Sequence, residues 1–149
     1  MLSRVSSRAA FSLVVAGLLA ASLAACAGSG GDLLNLDQTW TLRSVSDSTL
    51  PYTVPNASSD IVITSATAEL NADNSYTTTF TGTTDGTPGT IGTDHGAWSV
   101  SRSTINFHSQ SLHTDYIAAL NGNSFNASIP GTLVGSMTPN FSMVFSDAP

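Results

Sequence analysis

The 149-residue chain sets ten Asp and Glu against four Lys and Arg, a formal charge of −6, which repels phosphate backbones and anionic headgroups and argues against nucleic acid as a partner. Its single cysteine leaves no intrachain disulfide, so burial must hold the fold. The length suits one domain once the first segment is set apart.

That first segment has the form of a secretory leader: Arg4 and Arg8 precede the apolar run Ala9 to Leu23, and the small residues Ala24 and Ala25 close it. Ala9 to Ala25 is 17 residues, broken by Ser12, Gly17 and Ser22, shorter than the ~20 apolar residues of a membrane-spanning helix. The only cysteine follows directly, and Leu23-Ala24-Ala25-Cys26 resembles the lipobox of bacterial lipoproteins. The resemblance implies a signal peptide over residues 1–25, cleavage before Cys26, and acylation of the Cys26 thiol and of the new amino terminus. Several acyl chains together make a stable membrane anchor, whereas one binds marginally. A reactive thiol or half of an intermolecular disulfide is the other reading of a lone cysteine, and the leader position explains Cys26 better. Ala27, where an aspartate would signal retention in the inner membrane of many diderm bacteria, points by the same resemblance to the outer membrane, facing the periplasm.

The mature chain, Cys26 to Pro149, holds 124 residues; Arg43 and Arg102 stand against all ten acids, giving −8 without a single lysine. Residues 26–37 form the lipidated terminus and a Gly- and Ser-rich tether, with Leu33, Leu34 and Leu36 expected to pack across one end of the domain that occupies 38–149. Thr39 to Ser46 alternates, Trp40 and Leu42 on one face and Thr41 and Arg43 on the other. Leu50 to Pro55 carries two prolines and reads as an extended connection rather than a central strand. Ile61 to Leu70 and Ser75 to Thr83 flank the turn residues Asn71 to Asn74, so that Leu70 meets Tyr76, Ala68 meets Thr78 and Ala66 meets Phe80. Asp85 to Asp94, rich in Gly and Thr, is expected to be the longest irregular loop.

Gly96 to Phe107 reads as a hairpin about Arg102 and Ser103, in which Val100 faces Ile105 and Trp98 faces Phe107, all four on the core side. Thr114 to Leu120 and Ser124 to Ile129 flank Asn121-Gly122, a strong hairpin signal, and Phe141 to Phe145 supplies a last strand. A short strand at Leu133 and Val134 is a further expectation. About eight antiparallel strands joined by hairpins, with no helix in the mature domain, predict an all-β sandwich or barrel. The bland Thr, Ser and Asn outer faces favour an up-and-down barrel that closes on itself and removes its edges.

Trp40-Thr41-Leu42-Arg43-Ser44-Val45, Leu50-Pro51, Leu70 to Tyr76, and Gly96 to Val100 with Thr104 to Phe107 together resemble the small lipocalin-like domains of bacterial lipoproteins, over roughly residues 38 to 146. A more distant resemblance is to the META-type lipoprotein domain, which also begins with a tryptophan strand. Asn74 and Arg102 depart from the lipocalin-like pattern, standing where glycine is usual; arginine disfavours a tight primed turn, so a wider loop is expected there.

No nucleophile elbow, zinc-protease helix, phosphate loop or calcium loop occurs in the sequence, so a non-enzymatic protein without cofactor is expected. The histidines are the least bland residues. His95 and His108 should point outward, and a four-residue loop Ser109 to Leu112 would set His113 opposite His108 and Asp115 opposite Asn106, gathering His95, His108 and His113 on one outer patch within reach of a metal. Three solvated histidines on neighbouring strands are the plainer reading, and no metal is assigned. The resemblance implies a membrane-anchored module carrying a small apolar ligand in the barrel. The alternative is a non-catalytic interaction lipoprotein with a filled barrel that contacts another envelope protein; eight strands leave room for side chains or one small ligand.

Overall fold

The computed structural model describes residues 35–147; the leader, Cys26, Leu33 and Leu34 lie outside the described residues. The domain is all-β. Its strands are β1 (Thr39–Val45), β2 (Ser48–Thr49), β3 (Tyr52–Thr53), β4 (Ile61–Leu70), β5 (Ser75–Thr84), β6 (Thr87–Ser101), β7 (Thr104–Ser109), β8 (Thr114–Asn121), β9 (Ser124–Pro130) and β10 (Asn140–Ser146). Strands β4 to β10 follow one another as antiparallel neighbours, and β1 pairs with both β4 and β10. The result is a closed up-and-down barrel of eight strands, with the two-residue strands β2 and β3 paired to β1 and β4.

Alternation fixed most registers as the sequence predicts. Leu70 pairs with Tyr76, Ala68 with Thr78 and Ala66 with Phe80. Trp98 pairs with Phe107 and Val100 with Ile105. Leu120 pairs with Phe125 and Ala118 with Ala127 about the two-residue turn Gly122-Asn123, Gly122 taking φ 57. A β-bulge at Arg43 lets both Leu42 and Val45 point inward from β1.

Three expectations are corrected. The stretch Asp85 to Asp94 is not a loop: Asp85 and Gly86 (φ 50 and 79) make a tight turn, and β6 runs from Thr87 along the whole length of β5. Two left-handed residues are what a type I′ hairpin turn requires, and Asp-Gly is one of its commonest sequences. The Arg102 turn is not widened: Ser101 pairs with Thr104 across two residues, with Arg102 itself at φ 57. Leu133 and Val134 lie in a 3-10 turn, Gly131–Val134, rather than a strand.

The two ends of the barrel differ. At one, Gln38 accepts from Leu70 N, and the turns 71–74, 102–103 and 122–123 gather; this is where the described chain enters. At the other, the connection between β1 and β4 and the segment 131–139 fold across the opening, tied by the Ala57–Ser136 bridge and by Ser136 Oγ donating to Pro55 O at 2.6 Å. Gly92 on β6 is needed there, since a Cβ would run into the carbonyl oxygen of Leu133. Leu36 is buried at the entry end, where its carbonyl accepts from Trp40 Nε1 at 3.2 Å.

Candidate functional site

The barrel interior is a column of rings. Trp40 from β1 meets Phe125 from β9 edge-on at 5.2 Å between centroids, and Phe125 stacks on Phe145 from β10 at 5.0 Å. Phe107 from β7 lies 6.2 Å from Phe125, stacks on Tyr116 from β8 at 5.0 Å, and takes Tyr76 from β5 edge-on at 4.8 Å. Edge-on and offset-stacked pairs are the arrangements that the ring quadrupole favours. Trp40, Leu42, Phe80, Ile105, Phe107, Phe125, Met143 and Phe145 each expose 2 % of their surface or less. An open lumen would leave the inner faces of such residues wet, so these side chains fill the interior.

A polar cluster is set into this column. Asp94, on β6, is fully buried, and Tyr76 and Tyr116 donate to its Oδ2 at 2.7 and 2.9 Å. Ser109 Oγ donates to Oδ1 at 2.5 Å and itself accepts from Leu112 N at 2.9 Å, so the cluster joins β5, β6, β7, β8 and the turn between the last two. No cationic side chain among the described residues pairs with Asp94. Burial, with the neighbouring Asp94 adding to it, holds both phenols above their ordinary range; for Tyr116 the adjacent Tyr76 adds more. The cluster is closed to solvent and its groups satisfy one another, tying the strands together.

Sequence reasoning missed Asp94 because it assigned the residue to a loop. The signal was present: 94, 96, 98 and 100 share parity, so extending the strand of Trp98 backward turns Asp94 inward.

The histidines do not form the arrangement expected of them. His108 pairs with Asp115, and Ser109 with Thr114, which moves the register by two residues and leaves His113 in the turn Gln110 to His113 at φ 51. Asp115, not His113, therefore faces His108, with Oδ1 and Nδ1 2.8 Å apart on the exposed surface, and Asn106 faces Ile117. The shift has a local cause: Ser109 is drawn inward by Asp94, and Gln110 N donates to His95 O. His95 is exposed as expected, with Ser111 Oγ 2.9 Å from its Nδ1. No group of three or more metal-ligating side chains is close enough to hold an ion among the described residues.

The hairpin face is also only partly core. Phe107 and Ile105 are buried, but Trp98 is half-buried, its Nε1 donating to Asn71 O at 3.2 Å, and Val100 is 44 % exposed. Comparison with protein-family models, with curated proteins and with solved structures found no match.

Proposed function

We propose that this protein is a non-catalytic envelope lipoprotein, anchored by acylated Cys26, whose filled, lipocalin-like barrel is an interaction domain meeting another envelope protein through its outer face and end loops. The observation that carries the reading is the dry interior: the rings contributed by β1, β5, β7, β8, β9 and β10 occupy the volume in which a carrier would hold its cargo. A carrier of a small apolar ligand, the function that the resemblance implies first, uses the same barrel with some of those rings withdrawn.

Titration with fatty acids and other apolar molecules, together with solvent extraction of the purified protein, tests the proposal. Neither saturable one-site binding nor a copurifying ligand is expected, and crosslinking on intact membranes should capture a protein partner. A 1:1 saturable complex would replace the interaction reading with the carrier one.

A further inference from the structure

We propose that the entry end of the barrel rests on the bilayer surface, with Trp98 and Val100 reaching the interfacial region and Arg102 the lipid headgroups. The inference rests on the Cys26 anchor of the preceding section and adds an orientation to it.

The described chain enters at this end. Gln38 bonds to Leu70, Asn71 follows Leu70, and Trp98 bonds to both Asn71 O and Asn74 O, so the start of the described chain and the base of the β6–β7 hairpin belong to one end. Eight residues separate Cys26 from Asn35. Covalent geometry limits a chain of that length to roughly 30 Å. An anchor at Cys26 therefore keeps the entry end within that reach of the lipid.

The same end displays apolar and cationic side chains. Val100 is 44 % exposed and Trp98 half-buried although both lie on the inward-facing side of β6, because β5 stops pairing at Ser75–Ala97 and leaves the end of β6 with β7 alone, where the paired Ile105 is buried; Leu120, whose N–H donates to Ser103 O, is half-buried. Tryptophan, with an apolar ring and one polar N–H, is enriched, like tyrosine, at the membrane–water boundary. Arg102 crowns the same tip, and an arginine can lay its apolar stem along the interface while its head meets phosphate. Asp37, Asp73 and Asp147 border the end. Asp73 is already engaged by Ser75, whose N–H and O–H hold its carboxyl below the usual carboxylate range. Among the described residues the far end lacks an arginine and carries Asp60 and Asp85 side by side; it presents Met137, with Leu50, Tyr52, Ala57, Ile91 and Leu112 partly buried against the core.

The test uses the full lipidated chain reconstituted into phosphatidylcholine vesicles, with and without bromine atoms high on the acyl chains. Trp40 is sealed in the interior and Trp98 is not, so bromine should quench part of the tryptophan emission. Trp98→Phe should abolish that quenching, and Val100→Asp, which keeps Trp98, should weaken it. Protein that floats with the vesicles but shows equal emission in both lipids would overturn the orientation and leave the anchor standing. Protein that fails to float removes the anchor and, with it, this proposal.

Discussion

Tyr76 and Tyr116, 40 residues apart in the chain, deliver their hydroxyls to one and the same oxygen of Asp94. Strands that are not neighbours are thereby joined through a single buried carboxyl group, and the barrel depends on that group more than its small size suggests. Asp94→Ala should leave three buried O–H donors without an acceptor and cost about 3–5 kcal/mol, since each orphaned buried group costs about 1–3 kcal/mol and relaxation recovers part. Tyr116→Phe, which removes one donor and keeps the ring, should cost about 1–2 kcal/mol. Urea unfolding of the three proteins measures both.

The same cluster sets an alkaline limit. Both phenols titrate higher in the folded state than the ordinary tyrosine value of about 10, so above that pH the unfolded chain releases protons that the folded chain keeps. The unfolded state then binds fewer protons, and stability falls as pH rises, by about 1.4 kcal/mol per pH unit for each tyrosine until its folded-state value is reached. Below about pH 10 this contribution is fully present. Unfolding midpoints measured from pH 8 to pH 11 should decline at the upper end. The decline should be shallower when Tyr76 and Tyr116 are both phenylalanine.

Arg102 occupies a left-handed backbone conformation at the first central position of a two-residue turn. A residue with a Cβ is strained there by about 1–2 kcal/mol, while glycine is not but loses more freedom on folding. Arg102→Gly should therefore stabilise the domain by about 0.5–1 kcal/mol, read as a rise in urea midpoint with unchanged slope.

The two tryptophans should respond unequally to truncation. Trp40 is buried among Phe125 and its neighbours, and Trp40→Ala should cost about 3–5 kcal/mol, as large aromatic truncations in cores do. Trp98 is half-buried and its indole makes one hydrogen bond to a turn, so Trp98→Ala should cost about 1–2 kcal/mol. Equal losses at the two positions would mean that the hairpin tip is packed as tightly as the barrel centre.

These contrasts mark where the sequence was legible. The pairing of Leu70 with Tyr76 and of Trp98 with Phe107 follows from period-two alternation around short turns, and so does the closed all-β barrel. Thr87 to Asp94 was not legible, because threonines and glycines alternate weakly and the Asp85-Gly86 turn that aligns them is a two-residue signal inside a loop-like composition. The histidine register failed for a different reason. Ser109 looks like a turn residue, and only the buried Asp94 across the sheet, itself hidden by the first misreading, shows why it belongs to the strand. Burial of Val100 does not follow from alternation, which reports a side chain's face and not whether a neighbouring strand covers it: β5 ends its pairing at Ser75–Ala97, so Val100 is exposed while its partner Ile105 is buried.

The long β6 also bears on how the protein behaves in a crowd. Strand β7 begins to pair only at Gly96, so from Thr87 to His95 β6 has β5 as its one strand neighbour, and an otherwise closed barrel keeps a stretch of open rim. Such a rim, whose one acid, Asp94, is turned inward and which is rich in threonine, is the kind of template on which identical chains stack into fibres. Pro88 supplies no N–H, and the bulge that leaves Ile91 unpaired between Thr90 and Gly92 breaks the even spacing of donors and acceptors. Neighbouring copies therefore find no continuous ladder to extend.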